Sequence, residues 1–336
     1  MFGTLRFCLA MLVALSHIGV TVFGHNPGVS AVVVFYLLAG YITCALVDGR
    51  NLSALGFLYE RAIRLYPSYW VCVILSLLVW HFCNPTTSFL SRSPSLTDWV
   101  ANLTIVPLNF FMWTGQDSFT LVPPAWSLGL ELQLYLLAPF LFRAPRGILI
   151  FFAYSSLLIY LIACFGLIDT DIWGYRLLPG VLFIFLTGRA LRLGEVLLPL
   201  IVWLMACVLL ITYVLKSENI YRFNIETATG LALGMPLVLL LSKIRRRVWD
   251  EFLANLSYPF FLLHFCFFWI FEKFTVPIWR LTERPIIMAK CFALIFVMSV
   301  IINFCIQLPL DHRRRRIIYQ KQKTIKFSHP EDSGGA

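Results

Sequence analysis

The chain has 336 residues, 60% of them hydrophobic and only 13% charged, with a formal net charge of +10 and a mean hydropathy of +0.81. A water-soluble domain of this length cannot cover so much apolar surface, so the bilayer must be the solvent for most of the chain. Nine cysteines stand singly in apolar stretches without a C-x-x-C pair or a metal-like His spacing, so they read as small hydrophobes and no metal is expected.

In chain order, apolar runs recur at 5–23, 28–47, 69–83, 126–142, 147–168, 175–190, 196–215, 225–242, 251–272 and 286–308. Most approach the ~20 residues that a bilayer core requires. They predict an all-α polytopic membrane protein of about ten transmembrane helices, with the third, fourth and sixth runs the shortest. The longest non-spanning stretch is 84–125. Its apolar part, Trp99 to Trp113, is broken by Asn102, Pro107 and Asn109, a pattern that fits an interfacial or re-entrant segment.

Basic residues give the orientation. With the N-terminus inside, the inner segments and the C-terminal tail hold 19 Lys and Arg, the outer segments hold seven, and Lys290 falls within the last run. This bias predicts cytoplasmic termini, a transmembrane domain over 1–312 and a basic, disordered cytoplasmic tail over 313–336. It also accounts for the net charge without nucleic-acid binding. Val22-Phe23-Gly24 after the first run loosely resembles a signal-peptide cleavage site. Cleavage would leave nine spans and require the C-terminus to flip or a helix to be lost, and the charge bias argues against that.

Ionisable residues inside spans are costly and mark pathways or sites. His17, Glu131 and His264 are the clear cases. Arg6 and His17 are 11 residues apart, three helical turns, so both project from one face about 16 Å apart along the axis. Counting from the outer ends of their runs, His17, Glu131 and His264 lie about 9, 7–8 and 12 Å deep, and share one layer. The plainer alternatives are a core histidine bonded between helices, and for Glu131 a structural partner to that histidine or to an arginine. In the loop expected after the second run, Arg61 and Arg64 stand at i, i+3 and turn two guanidinium groups to one side. That suits a phosphate-bearing ligand at the inner face, although positive-inside charge alone also explains it.

These blocks resemble acyltransferase family 3, the bacterial membrane O-acyltransferases, over essentially the whole chain. Arg6-x10-His17 is similar to the family's first-span Arg-x10-His, and Phe35-Tyr36-Leu37-Leu38-Ala39-Gly40 to its Phe-Phe-x-Leu-Ser-Gly. Arg61-x-x-Arg64-Leu65-Tyr66-Pro67 resembles its Arg-rich loop, Trp126-Ser127-Leu128-x-x-Glu131-x-Gln133-x-Tyr135 its Trp-Ser-Leu block, and Ser257-Tyr258 with His264 its late Ser-Tyr-x3-Leu-x-His. Ala39, Glu60 and Leu132 depart from the usual residues, and Glu60 bears on the strength of phosphate binding.

The resemblance implies an acyl-coenzyme A donor, acetyl-coenzyme A most simply, arriving from the cytoplasm. The acceptor it implies is a hydroxyl of an envelope saccharide such as lipopolysaccharide O-antigen, at the bacterial inner membrane. Arg6, Arg61 and Arg64 would hold the coenzyme. His17 would be the general base, Glu131 its orienting partner, and Trp126, Ser127, Tyr135 and His264 would line the substrate site. An acyl-histidine relay stands as a second route. A proton-coupled transporter or flippase of an envelope precursor is the rival reading, since it too uses intramembrane His, Glu and Arg.

Overall fold

Each apolar run falls on a helix in the computed structural model, which describes residues 1–49, 53–216, 223–245 and 247–311. The tail at 313–336 lies outside them, as do Arg50, Arg222 and Arg246 of the charge count. In order the helices are α1 (Phe2–His17), α2 (Pro27–Gly49), α3 (Ala54–Cys83), α4 (Leu96–Thr104), α5 (Phe111–Thr114), α6 (Ala125–Leu141), α7 (Arg146–Cys164), α8 (Leu178–Leu193), α9 (Leu197–Lys216), α10 (Asn224–Ser242), α11 (Val248–Phe274) and α12 (Pro285–Ile302). Among the described residues the rest is short helical turns, loops and two isolated β-bridges.

Seven of these helices are long and apolar enough to cross a membrane: α2, α3, α7, α9, α10, α11 and α12. α1 and α6 are apolar but shorter. The long helices divide by what they bury. The apolar window of α11 is 72% buried within the protein, against 17% in α9 and 22% in α12, so α9 and α12 turn most of their surface outward. An apolar helix with so little protein cover suits lipid contact. At the centre, α1 packs against α2 and α11, and α2 also packs against α8 and α10.

The α2–α8 contact is a reciprocal backbone lock. A Cβ on Gly40 would run into the carbonyl of Phe185, and one on Gly188 into the carbonyl of Leu37. Without a hydrophobic drive between helices in lipid, such small residues let backbones approach and gain dispersion contact. This gives Gly40, in the block beginning at Phe35, a packing reason.

The third run is much longer than 69–83. α3 starts at Ala54, where the Ser53 hydroxyl accepts the Gly56 N–H at 3.1 Å, and continues through Pro67 to Cys83. Arg61 and Arg64 therefore stand on a helix, not in a loop. A mid-helix proline costs one backbone bond and crowds the turn before it. Long-range anchors on either side offset this: Tyr66, Tyr69 and Trp70 donate to the carbonyls of Thr104, Asn102 and Leu103 at 2.8, 2.7 and 3.1 Å. Those carbonyls are the last ones of α4 and have no intrahelical partner, so α3 caps α4.

The 84–125 segment folds back into the protein. Leu121, Val122 and Ala125 are fully buried. Asn102 and Asn109, the residues that break its apolar pattern, are buried too. Asn102 donates to the carbonyls of Asp98 (2.9 Å) and Phe119 (3.1 Å) and accepts from the Leu121 N–H (2.8 Å). Each amide satisfies backbone that would otherwise be buried unpaired.

Candidate active site

Two cavities lie along α1 and α2. The first, about 580 Å³, is bordered by the start of α1, the middle of α2, the first half of α3, the middle of α6 and the start of α11. Its charged lining includes Arg6, Arg61, Arg64 and Glu131. Arg61 is nearly buried between the rings of Phe57 and Tyr135, its guanidinium carbon 5.9 Å from each centroid. Glu60, also buried, pairs with it at 3.5 Å, and Arg64 pairs with Asp311 at 3.8 Å. Arg6 has no ion pair among the described residues. Glu131 accepts a short hydrogen bond from the Tyr135 hydroxyl, one turn further along α6.

The second cavity, about 340 Å³, lies at the other end of α1. His17, Asn26, Asp117, Trp126, Tyr175 and Arg176 are among its lining residues, and His17 is exposed to it. Val32, Ser127 and Phe261 line both cavities, so the two adjoin at these side chains. The three-turn spacing of Arg6 and His17 thus places one residue in each.

The shared layer of His17, Glu131 and His264 is only partly realised. The rings of His17 and His264 stack, with centroids 5.4 Å apart and planes within 16°. Glu131 lines the other cavity, and no hydrogen bond or ion pair joins it to His17, so it does not orient that imidazole. Depth counted from the end of α6 misleads because that helix begins at Ala125, already buried under the re-entrant segment. His264 lines neither cavity. It is fully buried, with Phe261, Phe265 and Phe268 around its ring. Trp126 lines the second cavity, Tyr135 the first, and Ser127 both.

Arg176 escapes the sequence reading, where it counts as an outer-segment charge. A π-helical turn, Ile172–Arg176, leads into α8 and carries it to the second cavity. Its guanidinium lies 4.5 Å from the Trp126 ring centroid, 5.1 Å from that of Phe111 and 5.4 Å from that of Tyr175. Its Nε donates to Asp171 at 2.6 Å. Asn109 also evades the pattern. Its amide donates to the carbonyls of Arg176 (3.0 Å) and Trp126 (3.3 Å), while its Oδ1 accepts from Gln133 at 2.8 Å.

The sequence model described as an acyltransferase domain, that of acyltransferase family 3, matches residues 3–304. A protein of Aquifex aeolicus (strain VF5), described only as uncharacterized, is 34% identical over 209 residues, which is 59% of this chain and 90% of that protein. No solved structure matches the chain.

Proposed function

The chain belongs to acyltransferase family 3 and is a multi-pass membrane acyltransferase, and from that premise we propose that it moves an acyl group, acetyl most simply, from cytoplasmic acyl-coenzyme A to a hydroxyl of an envelope saccharide. One observation carries this reading. A cavity bordered by three arginines adjoins, at Val32, Ser127 and Phe261, a second cavity holding His17. In the proposed orientation, with ten spans, cytoplasmic termini and the bacterial inner membrane as location, the arginine cavity opens to the cytoplasm.

In the proposed reaction, Arg6, Arg61 and Arg64 hold coenzyme phosphates and the thioester reaches past Ser127 toward His17. The acceptor hydroxyl enters the second cavity, against Trp126. His17 takes its proton as the oxygen attacks the thioester carbonyl, and the imidazolium returns that proton to the departing thiolate. Glu131 serves on the donor side, fixing Tyr135, which packs against Arg61. Ordered arginines matter here because guanidinium groups match phosphate oxygens geometrically as well as in charge.

The test is transfer of label. Purified protein is incubated with radiolabelled acetyl-coenzyme A and chemically deacetylated envelope polysaccharide, and the label in the glycan is counted. The proposal expects label with the wild type and a loss of about 10²–10⁴-fold in His17→Ala, the usual worth of a general base. Undiminished transfer by a well-folded His17→Ala protein would overturn the base assignment. Movement of glycan across vesicles without labelling would favour the transporter reading.

A further inference from the structure

The proposed transfer leaves one electrostatic requirement unmet. Attack on a thioester places a negative charge on the carbonyl oxygen, and a group must receive it. His17 is occupied with the hydroxyl proton. Glu131 has the wrong sign and lines the other cavity. Of the hydroxyls lining the second cavity, Ser16, Thr120 and Ser127 already donate to the carbonyls of Val13, Gln116 and Pro124, and that of Tyr175 is a neutral donor with no charge to set against an oxyanion. Asp117 is an acid. Arg176 is the one Lys or Arg among the residues lining it.

Three features of Arg176 fit the task. Only its Nε is engaged, by Asp171, and no hydrogen bond joins either Nη to another described residue. Two nitrogens with four N–H donors are therefore left for something else. The group is also held still: three aromatic rings surround it, and the Asn109 amide ties its carbonyl to that of Trp126. A donor fixed before the reaction stabilises developing charge without reorganising, which makes such groups effective. Finally, its side chain is only 14% exposed, so water competes weakly for the donors, and it is close enough to His17 to interact with it electrostatically.

Resting on the reading of the protein as an acyltransferase with His17 as base, we propose that Arg176 is a further catalytic residue, whose free Nη atoms bind the oxyanion formed on the acyl carbonyl. The carbon–oxygen ester bond forms as the acceptor proton passes to His17. The charge rests on the carbonyl oxygen against Arg176; its electron pair then re-forms the carbonyl as the carbon–sulfur bond breaks, and the departing thiolate takes the proton from His17. Asp171 is a positioning residue that holds the Nε side and leaves the Nη side open.

Steady-state kinetics of Arg176→Met, Arg176→Lys and Arg176→Ala in purified, monodisperse protein test this, with both substrates varied. Arg176→Met is expected to lower kcat by about 10²–10³-fold, the effect of losing one oxyanion donor, with each KM within a few-fold of wild type. Arg176→Lys keeps the charge but not the fork and should recover only part of the loss. Added guanidinium ion should restore activity to Arg176→Ala and leave His17→Ala unchanged, a rescue that a merely structural role would not show. If Arg176→Met keeps kcat, or loses only acceptor KM, the oxyanion role is wrong while the acyltransferase reading stands. A wild type that transfers nothing removes both.

Discussion

His264 lies face to face with His17 while its own Nε2 has no hydrogen-bond partner. The Phe261 carbonyl, 2.7 Å from Nδ1, can only accept, so Nδ1 carries the proton and Nε2 a lone pair. Under the proposed mechanism the ring is a wall against which His17 is tilted. Replacing it with Phe keeps an aromatic face and removes the orphan nitrogen, so His264→Phe should retain most of the transfer rate. His264→Ala should lower kcat by up to about 100-fold through misplacement of the base and cost about 3 kcal/mol of stability through the cavity it leaves. Rates and thermal melts of both variants decide the matter. A Phe variant as inactive as the Ala variant would mean that the nitrogen itself handles protons.

Arg6 and Arg61 should fail in different ways. Arg61→Ala breaks the buried ion pair with Glu60 and empties the space between the Phe57 and Tyr135 rings; breaking a buried pair costs about 3–5 kcal/mol, so the loss should appear as a poor yield of folded protein. Arg6→Ala strands nothing and should fold normally. Its expected defect is a KM for acyl-coenzyme A raised about 10–100-fold, the worth of one charge-assisted phosphate contact. Chromatographic homogeneity and donor KM, measured together, separate the two; an unchanged donor KM in Arg6→Ala would remove it from the coenzyme site.

The Gln133–Asn109 bond predicts an indirect effect on the second cavity. Asn109→Ala removes a donor from the part-buried carbonyls of Trp126 and Arg176, at about 1–3 kcal/mol for a group left unpaired, while the Gln133 amide keeps its bond to the Gly129 carbonyl. Gln133→Leu strands less, since Asn109 keeps its bonds to Trp126 and Arg176. The expected order of both stability and kcat is wild type, then Gln133→Leu, then Asn109→Ala. Equal kcat in all three would show that the clip has no bearing on the reaction.

Asp98 should contribute to the protein's acid sensitivity. Burial pulls its carboxyl upward, but the bonds from Arg92 and Ser95 outweigh this and hold it below the usual 3.8. Arg92 grips both oxygens at 2.6 Å, and Ser95 completes a capping box at the start of α4. A carboxyl depressed on folding stabilises fully above its unfolded value, and that contribution fades as pH falls from there through the folded value. Wild type should therefore lose stability as pH drops below about 4, where its unfolded form takes up the proton first. Asp98→Asn should show a shallower acid slope and a lower melting temperature at pH 7. Parallel pH–melting curves for the two proteins would rule this out.

The helices were legible because lipid demands long apolar runs, and every run fell on a helix. The weak points were local. Arg61 to Pro67 read as a loop because proline normally ends a helix, and the side chains that compensate for Pro67 meet carbonyls more than 30 residues away. Arg6, His17 and Trp126 could be singled out from type and spacing. Arg176 could not, since a charged residue between aromatics at the end of a run looks like ordinary interfacial charge, and only the π-helical turn brings it inward. Glu131 was visible as out of place, but its cavity depended on how deep α6 begins, which no residue in α6 states.

The carbonyl-against-glycine seating of α2 on α8 has a mechanical meaning. With Gly40 and Gly188 each filled by a neighbouring backbone, neither helix can slide along the other without climbing over main-chain atoms. The pair forms a fixed rail, and residues of α2 from Gly28 to Leu46 line one cavity or the other along it, Val32 both. Tightly interlocked surfaces shift in whole notches rather than continuously. Any widening of the passage then falls to the other walls, among them α11 and the end of α10.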